Sequence, residues 1–98
     1  MDRIYKTYGI YIGSSKLRKC INRTNFQVYL QGFRCYRTAI KMKNRNEIME
    51  DLSSLFKIED EDTLINMISW RKDGWNKTDE NMLINYSKYM YALSHLKK

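Results

Sequence analysis

Between Asp2 and Glu47 the chain carries no carboxylate side chain, while Lys and Arg recur through the whole interval. The densest part is Lys16 to Arg45, KLRKCINRTNFQVYLQGFRCYRTAIKMKNR, where basic residues interleave with aromatics. Lys and Arg are almost never fully buried unless paired, so this half has to divide into a packed side and a basic side. Residues 1–45 hold 11 Lys and Arg against one acid, a net +10; residues 46–98 hold 7 against 10, a net −3. The overall +7 is therefore a segregated charge. A one-sided positive field with stacking side chains embedded in it is the footprint of a surface that meets a polyanion, most often nucleic acid.

A chain of 98 residues supports one core, so residues 1–98 are read as a single domain, with a basic β-rich half (1–43) and a helical, mildly acidic half (44–98). Asp2, Arg3 and Lys6 interrupt the N-terminal stretch, so no signal peptide is expected, and no apolar run approaches membrane-spanning length. The expectation is a cytoplasmic, intracellular protein with no membrane contact. Cys20 and Cys35 are accordingly expected as reduced thiols, and with a single histidine they fall short of a four-ligand zinc site. Neither metal nor cofactor is expected. Abundant Lys, Asn, Ile and Tyr with no Pro is the composition an AT-rich genome gives, such as that of a low-GC bacterium, its phage or a large DNA virus.

The fold class predicted from the pattern is α+β, a small antiparallel sheet in the N-terminal half followed by three helices. Ile4 to Ile12 is rich in β-branched and aromatic residues and ends at Gly13-Ser14-Ser15, which reads as a strand and turn. Lys16 to Asn22 reads as a short strand or one helical turn. In Asn25 to Ile40, Phe26, Val28 and Leu30 alternate, Gln31-Gly32 offers a turn, and Phe33 and Cys35 alternate again, which predicts a hairpin. The rival is a helix capped at Thr24, with Phe26, Tyr29, Leu30, Phe33, Arg37 and Ile40 on one face. Gly32 in its middle would cost about 1 kcal/mol relative to Ala, and the hairpin is preferred.

The second half predicts three helices. Asn44 stands three residues before Glu47 as in a capping box, and Ile48, Leu52, Leu55 and Phe56 follow at helical spacing over about 45–57. The acids Glu59 to Asp62 open a second helix with Leu64, Ile65 and Ile68 on its apolar face, ended by Asp73-Gly74. Thr78 with Asp79 and Glu80 starts a third, whose face reads Met82, Tyr86, Tyr89, Leu93 and Leu96.

Phosphate contacts are assigned to Lys16, Arg18, Lys19, Arg23, Arg34, Arg37, Lys41 and Lys43, with Tyr29 and Tyr36 as stacking candidates on the outer face of the ribbon. Phe33 and Cys35 belong to its inner face. The competing explanation of these charges is a solvated surface whose Lys and Arg pair with acids of the helical half. Four adjacent acids at Glu59 to Asp62 fan apart and suit a helix start better than a Mg²⁺ site. Two tryptophans flank the basic turn from Trp70 to Trp75 and are read as packing residues, with an aromatic clamp as the alternative. His95 is read as a solvated helix residue.

Tyr8-Gly9-Ile10-Tyr11-Ile12-Gly13 resembles the two tripeptides of the GIY-YIG nucleases. That family sets them on two separate strands, whereas here they are fused and share one tyrosine, so the stretch is read as a plain strand and the family is not assigned. No catalytic residue is assigned. The function expected is a small non-enzymatic nucleic-acid-binding module. The first alternative is a phage- or mobile-element-encoded inhibitor of a host protein, such as a host-defence nuclease; the weaker one is a small nuclease in which Tyr8 or Tyr11 and Arg18 act with a distant glutamate.

Overall fold

The computed structural model describes residues 15–55, 61–70 and 76–96, and all the secondary structure in them is helical. Among the described residues there are five helices: α1 (Ser15–Cys20), α2 (Arg23–Ile40), α3 (Arg45–Leu55), α4 (Glu61–Trp70) and α5 (Lys77–Leu96). The expected antiparallel sheet is overturned: the proposed hairpin is the single 18-residue helix α2, and no strand occurs among the described residues. The strand placed at Ile4 to Ile12 lies outside the described residues, as do Phe56 to Asp60 and the turn after Trp70.

An asparagine caps each of three helices. The Asn22 side chain accepts the Asn25 backbone N–H at 3.0 Å and starts α2 two residues before the cap expected at Thr24. At α3 the capping box read from the sequence is present, with Asn44 Oδ1 accepting the Glu47 N–H at 2.9 Å and Asn44 Nδ2 reaching Glu47 Oε1 at 3.2 Å. At α5 the cap is Asn76, not Thr78, and its Oδ1 accepts the Asp79 N–H at 3.0 Å. Each asparagine satisfies an amide that the first helical turn leaves without an internal partner.

Helix α2 wins over the ribbon because its large side chains fit a 3.6-residue period better than a period of two. Phe26, Tyr29, Leu30, Tyr36 and Ile40 are all buried, whereas Val28 and Phe33 are half-buried and Cys35, assigned to the packed face, is exposed. Gly32 makes no turn. It faces α5, and a Cβ built there would stand 2.5 Å from the Ile84 carbonyl oxygen, so the glycine lets the two backbones approach closely. One turn away the Ser87 hydroxyl, fully buried, donates to the Tyr29 carbonyl at 2.7 Å.

Helix α5 is the centre of the bundle, packed by α2, α3 and α4, while α1 lies against α4. From Met82 to Leu96 none of its residues is exposed. That is why its buried set, Asp79, Leu83, Tyr86, Ser87, Met90 and Ala92, is not the single stripe expected; Met82, Tyr89, Leu93 and Leu96 are half-buried beside it. The core has two parts. One joins Leu17 and Ile21 with Phe26, Tyr29, Leu30, Leu64, Ile68, Leu83, Tyr86 and Met90. The other joins Tyr36 and Ile40 with Ile48, Leu52 and Ala92. No described helix is long and apolar enough to cross a membrane.

Candidate functional site

The basic residues of α2 converge on one line. With about 100° between successive residues, Arg23, Arg34, Arg37 and Lys41 fall within about 60° of one another, an arc that also takes in the buried Leu30 and has the buried Phe26 at its edge. All four are exposed, and among the described residues no carboxylate pairs with any of them. From Arg23 to Lys41 the line runs about 27 Å. The helix contains no acid, so its positive field is not offset along its own length. Lys16, Arg18 and Lys19 are exposed on α1, and Arg45, absent from the expected set, is exposed at the start of α3.

Three of the expected contact residues are placed elsewhere. Tyr29 is 0% exposed and belongs to the larger core cluster, so its ring has no free face for a base. Tyr36 is buried at the α2–α3 contact, where its hydroxyl donates to Asp51 Oδ2 at 2.7 Å. Lys43 reaches the same carboxylate oxygen and also stands over the Tyr36 ring, 5.6 Å from its centroid. For Lys43 the competing explanation holds: its charge pairs with an acid of the helical half. The Lys43 ammonium, and next the Tyr36 hydroxyl, hold the Asp51 carboxyl below the usual aspartate range. Burial first, then the bond to Asp51 and its negative charge, push the Tyr36 phenol above the usual tyrosine range.

The aromatics that sequence reasoning placed on the outside thus pack inside. Phe33 meets Tyr91 edge-on, with ring centroids 4.8 Å apart, and Tyr91 lies between it and His95. His95 is half-buried, not the solvated residue expected. Among the described residues no three His, Cys, Asp or Glu side chains are grouped to hold a metal ion. Glu61 and Asp62 occupy the first turn of α4, while Glu59 and Asp60 lie outside the described residues, as do Tyr8 and Tyr11 of the nuclease alternative. Compared with known protein families, curated protein sequences and solved structures, the chain matches none.

Proposed function

We propose that the protein is a non-enzymatic nucleic-acid-binding module that grips the phosphate backbone along α2. The observation that carries this reading is the exposed line of Arg23, Arg34 and Arg37 on a helix without a carboxylate, continued by Lys41 at its C-cap. Cations held in a row on a rigid element, without internal partners, suit a linear polyanion: each contact releases condensed counterions, and the helix keeps their spacing fixed. Lys16, Arg18, Lys19 and Arg45 extend the positive field, which speeds encounter. Lys43, Tyr29 and Tyr36 have no part in contact.

The test is the salt dependence of binding to a mixed nucleic-acid pool. Three or four phosphate contacts give a log-log slope of about −3 to −4. Arg37→Ala and Lys41→Ala each reduce the slope by about one while leaving stability within about 0.5 kcal/mol. A flat salt dependence, or loss of retention on heparin, would sink the reading.

A further inference from the structure

The solvent-facing side of α2 has an internal order that bare charge does not explain. At about 100° per residue its exposed positions span an arc of about 200°. The middle of that arc holds Gln27, Gln31, Arg34 and Thr38, at i, i+4, i+7 and i+11. Arg23, Arg37 and Lys41 lie to one side, and Thr24, Cys35 and Ala39 to the other. Two amides, one arginine and one threonine therefore occupy the most protruding line, and the other three cations run along one side of it.

Glutamine brings no charge to a phosphate, but it pairs a donor with an acceptor and fits the N7 and N6 edge of adenine; arginine fits the O6 and N7 edge of guanine in the same forked way. Gln27 to Thr38 covers about 16 Å of helix axis, or about five base-pair steps of about 3.4 Å. A helix about 10–12 Å across enters the B-form major groove, about 12 Å wide, whereas the deep, narrow major groove of duplex RNA excludes it. Single strands are usually held by stacking on aromatic side chains, and the exposed arc of α2 has none, since Phe26, Tyr29 and Tyr36 are buried and Phe33 is half-buried.

We infer that α2 reads the major groove of duplex DNA, with Gln27, Gln31 and Arg34 meeting base edges and Arg23, Arg37 and Lys41 holding the neighbouring phosphates. This rests on the nucleic-acid reading above, narrows it to one form of nucleic acid and one groove, and moves Arg34 from phosphate to base, leaving Arg23, Arg37 and Lys41 as the phosphate contacts of α2.

The experiment selects sites from a randomised duplex DNA library with the full chain. It then compares the enriched duplex with a scrambled duplex, a duplex RNA and a single strand, measuring the salt slope for each. The enriched duplex is bound about tenfold or more tightly than the scrambled one. Gln27→Ala and Gln31→Ala each lose about tenfold of preference at an A·T position, with salt slope and melting temperature unchanged, whereas Lys41→Ala weakens all duplexes alike. The inference is overturned if no sequence is enriched, if duplex RNA or single strands bind as tightly as duplex DNA, or if both glutamine variants keep the preference. Salt-dependent binding that survives those results leaves the phosphate-gripping reading in place; its absence with every nucleic acid removes both.

Discussion

A methyl group on Gly32 would sit 2.5 Å from the carbonyl oxygen of Ile84 and about as close to the rest of that residue's backbone as packed atoms come. Backbone cannot swing aside as a flexible side chain can. Gly32→Ala should therefore destabilise the protein by about 1–3 kcal/mol as an overpacking change, although Ala favours a helix by about 1 kcal/mol over Gly. Denaturant unfolding measures the sign. A stabilised variant would mean that α2 and α5 are not in close contact at this point.

Tyr36 separates packing from hydrogen bonding. Tyr36→Ala removes a buried ring from the cluster with Ile40, Ile48, Leu52 and Ala92, and should cost about 3–5 kcal/mol. Tyr36→Phe keeps the ring and loses only the bond to Asp51, for about 1 kcal/mol. Equal losses from the two changes, measured by urea unfolding, would contradict the burial of the ring.

Asp51 gives stability a definite pH dependence. Its carboxyl is held low in the folded chain by Lys43 and Tyr36, so its contribution is complete above the ordinary aspartate value of about 3.9 and is lost as pH falls through the lower folded value. Asp51→Asn keeps an acceptor for Tyr36 but loses the charge facing Lys43. The variant should melt below the wild type at neutral pH, with the gap closing in strong acid. At the other end, the Tyr36 phenol is held protonated, so its contribution is complete below the ordinary tyrosine value of about 10 and is lost as pH rises from there through the higher folded value. A melting-temperature gap between Asp51→Asn and wild type that stays constant with pH would show that the charge of Asp51 adds nothing.

The parts of this fold that were legible in the sequence are those decided within one helical turn. Asn44 and Glu47 signal the start of α3 by themselves, and Leu64 and Ile68 mark the inner face of α4. The N-terminal half is not legible in the same way, because its deciding residue acts at long range. Gly32 looked like a turn or a helix defect when only its neighbours were considered; its role is set by Ile84 on α5. Once Gly32 is taken as a contact, Tyr29 and Tyr36 turn inward with Phe26, Leu30 and Ile40. The stacking roles given to both tyrosines are then lost, while Arg34 faces outward in the ribbon and in the observed helix alike. Charge is legible in sequence because it has to face water; the inner or outer placement of an aromatic depends on the partner element.

The two cysteines report on the two sides of the molecule. Both are free thiols, Cys35 exposed beside the central line of the α2 face and Cys20 half-buried, with its Sγ 3.2 Å from the Ser69 hydroxyl across the α1–α4 contact. In the native protein a thiol reagent should modify Cys35 quickly and Cys20 slowly, and both should react at once in denaturant; Cys35→Ser assigns the fast phase. Packing restricts access to Cys20, while Cys35 lacks such cover. Duplex DNA laid along Gln27, Gln31 and Arg34 would pass close to Cys35 and should slow its modification severalfold while leaving Cys20 unchanged. Saturating DNA that binds yet leaves the Cys35 rate untouched would move the binding surface off α2, however strongly that binding depends on salt.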